Sequence, residues 1–296
     1  MESWKVGKLK NEYCKKQLNF SVTANFKNSS IFGYHTQPMK KHLYSLSLAL
    51  LFTLTAFAQF NNNVVIAHRG AWKTNNLPEN SIAALNQAVA LKCFGAEFDV
   101  HLTADNVIVV NHDHQFYGLP IEKSTYAELL AKQHPNGEKI PTLQAYLTEG
   151  LKQKKTKLIL EIKTSEVSLD RSLELTKMCV GLVKQLKAEK QVEYICFSFE
   201  VGQRIHQLAP KAKIAYLTGD KTPAEAKAAG YTGLDYHYSV YKEHPAYIAE
   251  AKKLGLTVNA WTVNDKPEME TLLNQNVEFI TTNEPELLFE VIGGRK

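Results

Sequence analysis

From Val64 onward, compact apolar runs alternate with stretches in which apolar positions recur every three to four residues. The compact runs read as strands at 64–68, 95–100, 107–112, 157–163, 192–199, 213–218, 233–238, 257–263 and 277–281. Helical patterns lie between them at 80–91, 125–131, 142–151, 170–188, 201–208, 222–229, 244–254, 267–274 and 286–292. Ser81, Asp170 and Pro223 supply helix start signals. Alternation of strands and helices predicts a parallel α/β fold.

Nine strand runs exceed the eight of a (β/α)8 barrel, and the third run explains the surplus. Only Thr103-Ala104-Asp105-Asn106 separates it from the second, too little chain for a crossover helix, and Asp-Asn suits a tight turn. The two runs should therefore form a hairpin that sets Asp99 opposite residues around 110–112 and returns His112 to the level of Glu97 and Asp99. The prediction is a (β/α)8 TIM-type barrel with an antiparallel β-hairpin between the second strand and the His112 segment.

The N-terminal part follows a different pattern. Met39-Lys40-Lys41-His42 is basic, Leu43 to Thr55 is apolar, and Ala56-Phe57-Ala58 fits a cleavage site, so 39–58 reads as a secretory signal peptide. The rival, a membrane anchor, would need ~20 apolar residues and a following basic cluster. Residues 1–38 read as an extension upstream of the true start at Met39 and are set aside. No linker or shift of composition divides 59–296, which reads as one domain. Residues 1–58 hold eight Lys and two Glu, so without them the net charge falls from +5 to −1. That removes any case for nucleic acid or an acidic membrane as partner. Cys93, Cys179 and Cys196 have no pairing pattern and read as buried thiols. Gln59, where a lipoprotein would carry Cys, points to a periplasmic or secreted product without stable membrane insertion.

Polar groups gather where the apolar runs end: His68-Arg69-Gly70, Glu97-Phe98-Asp99, Asn111-His112-Asp113 and Glu161-Ile162-Lys163. Carboxyl ends of strands are where parallel α/β proteins carry chemistry. Glu97 and Asp99, two apart, share a strand face, as do Glu161 and Lys163 on the fourth barrel strand. Inward carboxylates need a cation, so Glu97, Asp99 and Glu161 form a candidate site for Mg2+ or Ca2+. The structural alternative is ion pairing with Arg69 and Lys163 alone. His68 and His112 are the candidate acid and base, while His101 and His114 belong beside the site or at its rim. Arg69 and Lys163 suit a phosphate, and Gly70 allows a sharp turn beside Arg69. Trp261, on the eighth strand run, and His237 are candidates for the substrate pocket, with a core tryptophan as the alternative.

These motifs resemble the glycerophosphodiester phosphodiesterases. The likeness runs through His68-Arg69-Gly70, Glu79-Asn80, Glu97 and Asp99, Thr103 and Asp105, His112-Asp113, Ile140-Pro141-Thr142-Leu143, Glu161-Ile162-Lys163, Trp261-Thr262-Val263-Asn264 and Thr281-Thr282-Asn283-Glu284-Pro285. It implies a TIM-type barrel, a divalent cation on Glu97, Asp99 and Glu161, phosphate contacts from Arg69 and Lys163, and acid–base catalysis by His68 and His112. The expected reaction is hydrolysis of a small-molecule glycerophosphodiester to glycerol phosphate and an alcohol. Asn283 stands where the family usually has Asp, and the segment from His114 to Ile140 is short, which suggests an open pocket. Rival readings are a phospholipase acting on intact lipid, for which Phe116-Tyr117-Gly118-Leu119 would be a contact patch, and a non-catalytic phosphodiester binder. The alcohol and the oligomeric state are not legible in the sequence.

Overall fold

The computed structural model describes residues 59–295, so the expected extension (1–38) and signal peptide (39–58) lie outside the described residues. The strands are β1 (Val65–Ala67), β2 (Gly95–Leu102), β3 (Ile108–Val110), β4 (Gln115–Phe116), β5 (Leu119–Pro120), β6 (Lys157–Ile162), β7 (Val192–Cys196), β8 (Ile214–Tyr216), β9 (Gly233–His237), β10 (Thr257–Trp261) and β11 (Phe279–Thr282). The helices are α1 (Ile82–Ala90), α2 (Tyr126–Leu129), α3 (Leu143–Gly150), α4 (Leu169–Gln185), α5 (Phe199–Leu208), α6 (Pro223–Ala228), α7 (Tyr238–Glu243), α8 (Ala246–Lys253), α9 (Lys266–Asn274) and α10 (Pro285–Gly293).

Eight strands, β1, β2 and β6 to β11, run parallel, and β1 pairs with both β2 and β11 to close the barrel. The remaining neighbour, β3, pairs antiparallel with β2 in the register Val100↔Val110, His101↔Val109 and Leu102↔Ile108. Asn111 N then donates to Asp99 O at 3.0 Å, which brings the following His112 back to the carboxylate level as the hairpin argument requires. Because β3 stands outside the barrel, β6 is its third strand rather than its fourth, and β10 its seventh.

Helix starts follow local chemistry. Ser81 Oγ accepts from Ala84 N, and Glu138 accepts from Ile82 N and Ala83 N, so α1 has its free amides satisfied at the edge of the site. Thr222 and Glu225 form a capping box ahead of Pro223. On α4 the cap is Ser168, two residues before the expected Asp170, which instead lies in the first turn. The expected single helix over 244–254 is preceded by α7, which starts directly at the end of β9 because His237 Nδ1 accepts from Ser239 N.

The main core fills the space between strands and helices. Inside the barrel, Ile66, Ile159 and Ile195 form a layer, with Phe94 stacked on Phe279 at 4.1 Å. A Cβ on Gly95 would come within 2.8 Å of Ile159 Cγ1, so glycine there lets that layer close. This apolar plug puts all inward polar groups toward the other, carboxyl end of the strands. A separate small core of Val109, Phe116, Ile121, Leu129 and Ile140 anchors the excursion after β3.

Candidate active site

The chain turns sharply where β1 ends. Arg69 (φ 56°) and Gly70 (φ 78°) are both left-handed, and a Cβ on Gly70 would stand 2.7 Å from the Ala84 carbonyl carbon. The turn aims Arg69 N at Glu97 Oε2 (2.8 Å) and Gly70 N at the Glu97 carbonyl (3.1 Å), locking β1 to β2 at the site. Asn80, also left-handed at φ 59°, braces Asp99 twice: its amide donates to Oδ2 (2.9 Å) and its Oδ1 accepts from Asp99 N (3.1 Å). These contacts give physical roles to the Glu-Asn pair and to Gly70.

Glu97, Asp99 and Glu161 are all buried and bring one oxygen each within 4.8 Å of the others. Lys163 Nζ lies 2.8 Å from both Asp99 Oδ1 and Glu161 Oε1. Glu97 Oε1, by contrast, is buried with no hydrogen-bond partner. One ammonium cannot neutralise three carboxylates. Burial, then repulsion from Asp99 and Glu161, pushes Glu97 well above the usual carboxylate range. Burial and Asp99 lift Glu161 to about 8. Burial works to raise Asp99 too, but Lys163 and His112 outweigh it and hold it below its ordinary value. Lys163 is raised by its two carboxylates against the effect of burial. An enclosed, oxygen-only, over-charged cluster with an orphaned acceptor on Glu97 fits a hard divalent cation.

His68 Nδ1 meets Asn283 Oδ1 at 2.8 Å, and its Nε2 lies 3.9 Å from Glu97 Oε2. Burial and the Arg69 charge lower this imidazole to about 4. His112 Nδ1 meets Asp113 Oδ1 at 2.7 Å. The buried His101 ties down the same segment, its Nε2 lying 3.0 Å from His112 O. His114 lies at the rim, as expected. Arg69 pairs with Glu79 at 2.6 Å.

His68, Arg69, Glu97, His112, Glu161 and Lys163 border one cavity of about 90 Å³, whose opposite wall is Ile195, Phe197, Leu217, Asp235 and Trp261 with Thr262 and Thr281. Trp261 thus reaches the cavity, donating from Nε1 to Asp235 O at 2.8 Å. His237 does not. Its ring packs against Trp261 at 5.3 Å and its Nδ1 serves α7, so it backs the wall instead of lining it. Asp99 is reached through Lys163 and Glu161. An open cavity of about 890 Å³ adjoins on the far side of His112, bounded by Glu122, Lys123, Glu166, Val167 and Phe197. The expected contact patch at 116–119 reduces to Tyr117, because Phe116 is buried in the small core. No described helix is long and apolar enough to cross a membrane. Cys93, Cys179 and Cys196 are free and buried.

Sequence reasoning missed Asp235 and Phe197, and it left Asn283 as a mere departure although that residue orients His68. Asp235 stood alone in the run Gly-Leu-Asp-Tyr, with no polar neighbour to flag it. Its inward position on a strand was the available signal.

A closed (β/α)8 barrel with acidic, basic and imidazole groups at the carboxyl ends of its strands belongs to the barrel enzymes. The sequence matches the model of the Glycerophosphoryl diester phosphodiesterase family over residues 68–287, and the chain belongs to that family. It is similar to a glycerophosphodiester phosphodiesterase of Caldanaerobacter subterraneus subsp. tengcongensis, 29% identical over 250 residues, which span 77% of this chain and 97% of the relative. The crystal structure of a glycerophosphodiester phosphodiesterase from Parabacteroides distasonis is 43% identical, with a TM-score of 0.77 over 80% of this chain and 99% of that one. A phosphodiesterase from Oleispira antarctica, solved with the product sn-glycerol-3-phosphate, shares the fold at 23% identity, with a TM-score of 0.67 over 78% of this chain and 97% of that one.

Proposed function

We propose that this chain hydrolyses small-molecule glycerophosphodiesters to glycerol phosphate and an alcohol by metal-assisted acid–base catalysis. The observation that carries the reading is the single cavity bordered by His68, His112, Arg69, Lys163, Glu97 and Glu161. Glu97, Asp99 and Glu161 would hold Mg2+ or Ca2+, which when bound offsets charge on the phosphoryl oxygens. Arg69 and Lys163 bind and orient the phosphate. His68, lowered to about 4 by burial and Arg69, is neutral at physiological pH. With Nδ1 directed to the Asn283 carbonyl oxygen, its Nε2 offers a lone pair and takes the proton of the attacking hydroxyl, whether of the glycerol or of water. His112 is oriented by the Asp113 carboxylate at Nδ1, which leaves Nε2 to give a proton to the leaving alkoxide. The complex of the Oleispira protein with sn-glycerol-3-phosphate supports the product assignment by analogy of fold.

The test is turnover of a panel of glycerophosphodiesters by purified 59–296, followed as glycerol phosphate release, with chelator and with Mg2+ or Ca2+ restored. Absence of turnover in all metal conditions overturns the reading. The expected compartment is periplasmic or extracellular, after cleavage near Ala58. N-terminal sequencing of the exported protein should begin at or near Gln59, and a product retaining Met1 to Pro38 would contradict both the leader and the start at Met39.

A further inference from the structure

The reaction just described leaves one buried carboxyl unused. Asp235 lies midway along β9, is 2% exposed, and borders the same cavity of about 90 Å³ as His68 and Glu97. It stands outside the cluster of Glu97, Asp99 and Glu161. Its Oδ1 is enclosed without a hydrogen-bond partner, and so is Oδ1 of Asn259, its register partner on β10. The Asn259 amide nitrogen gives one of its two hydrogens to Thr281 Oγ1 at 2.8 Å, and Asp235 Oδ1 itself receives no hydrogen bond. The nearby cations are engaged as well, Lys163 with Asp99 and Glu161, and Arg69 with Glu79. Enclosed acceptors are normally paired, so this corner of the cavity is matched to a neutral hydrogen-bond donor from outside the protein.

The rest of the corner narrows the chemistry of that donor. Ile195, Leu217 and Trp261 offer apolar surface suited to methylene groups. A short polyol arm, with carbons on the wall and a hydroxyl on the carboxyl, matches both features. Burial lifts the Asp235 carboxyl to about 7, with the Asn259 amide pulling the other way, and it can accept a hydrogen bond in either protonation state.

We propose that Asp235 is the specificity-determining contact for the glycerol arm of the substrate, accepting a hydrogen bond from its terminal hydroxyl, the one neither esterified nor adjacent to the phosphate ester. This rests on the hydrolytic reading above. A glycerophosphodiester and the matching diester of propane-1,2-diol, which lacks only that hydroxyl, separate the two ideas. The wild-type chain should prefer the glycerol diester by about 10- to 100-fold in kcat/KM. Asp235→Leu should bring the ratio close to one by losing activity on the glycerol diester alone, its retained turnover of the propanediol diester serving as the internal check of folding. Asp235→Ala carries the same expectation should the leucine prove too bulky. Asp235→Asn, which keeps an acceptor oxygen, should restore part of the preference. Equal wild-type turnover of both diesters, or a wild-type ratio in the Leu or Ala variant, overturns this inference and leaves the hydrolytic reading standing. No wild-type turnover of either diester overturns both.

Discussion

The mouth of the barrel is made of two unlike arcs. On the side of β1, β2 and β6, every cavity residue is charged or ionisable, and the backbone is forced into left-handed conformations at Arg69, Gly70 and Asn80. On the side of β7 to β10, the wall is Ile195, Phe197, Leu217, Trp261 and Thr262 with Asp235 as its single carboxyl, and none of those residues has positive φ. The difference is one of what each arc must overcome. Like charges packed together repel, so the first arc needs cross-bracing from Asn80, Lys163 and the Arg69 amide to keep its geometry. The second arc is held by ordinary packing and regular strand hydrogen bonds. On the proposed function, chemistry belongs to the braced arc and recognition to the packed one, and substitutions should divide accordingly.

The largest effect is expected at the acidic cluster. Glu97→Gln or Glu161→Gln replaces a charged ligand with a neutral amide and should lower kcat by about 10³-fold or more while leaving the fold intact, with metal binding lost by calorimetry. Near wild-type turnover with metal still bound would break the distinction between the arcs.

Next come the imidazoles. His68→Ala and His112→Ala should each reduce kcat by about 10²-fold or more, with a much smaller change in KM, because on the proposed reading Arg69 and Lys163 would still hold the phosphate. The double variant should be far less impaired than the product of the two single effects, as for groups acting in one reaction. Single variants with unchanged kcat would rule out the acid–base assignment.

The braced arc was legible in the sequence because it is dense. Charged residues two apart at the end of an apolar run have few structural explanations, so His68, Arg69, Glu97, Asp99, Glu161 and Lys163 stood out, and the four-residue turn at 103–106 was too short to do anything but return His112 to them. The packed arc was poorly legible for the converse reason. Phe197 looks like any strand residue, and Asp235 is one polar position in an apolar run. His237 was conspicuous in type, yet it is the cap of α7, whose start depends on that side-chain contact and on nothing in the hydrophobic period. The strands β4 and β5 escaped notice because two residues each cannot show a period.

The brace also makes the metal's effect on stability depend on pH. Glu161 rises from its ordinary 4.5 to about 8 in the folded chain through burial and Asp99, and Glu97 shifts the same way. A carboxyl raised on folding holds its proton more tightly in the native state, so its contribution is full below about 4.5 and is lost as pH climbs toward 8. Asp99 shifts downward, but its window lies below its ordinary 3.8 and does not interfere. A divalent cation held there would require the deprotonated ligands and relieve their repulsion. The gain in Tm on adding metal to chelator-treated protein should therefore be several degrees greater at pH 8 than at pH 5 in thermal scans. An equal gain at both would place the cation elsewhere.

The smallest effect sharpens the comparison from the other side. Trp261→Phe keeps an aromatic wall beside Phe197 and His237 but removes the 2.8 Å hydrogen bond from the indole Nε1 to Asp235 O. A hydrogen bond of this kind contributes about 1 kcal/mol net, and its loss loosens the strand that carries Asp235 without touching a charged group. The expected outcome in steady-state kinetics is a rise in KM of no more than about fivefold with kcat unchanged. A drop in kcat comparable to that of His112→Ala would move Trp261 out of the recognition arc and into the chemistry.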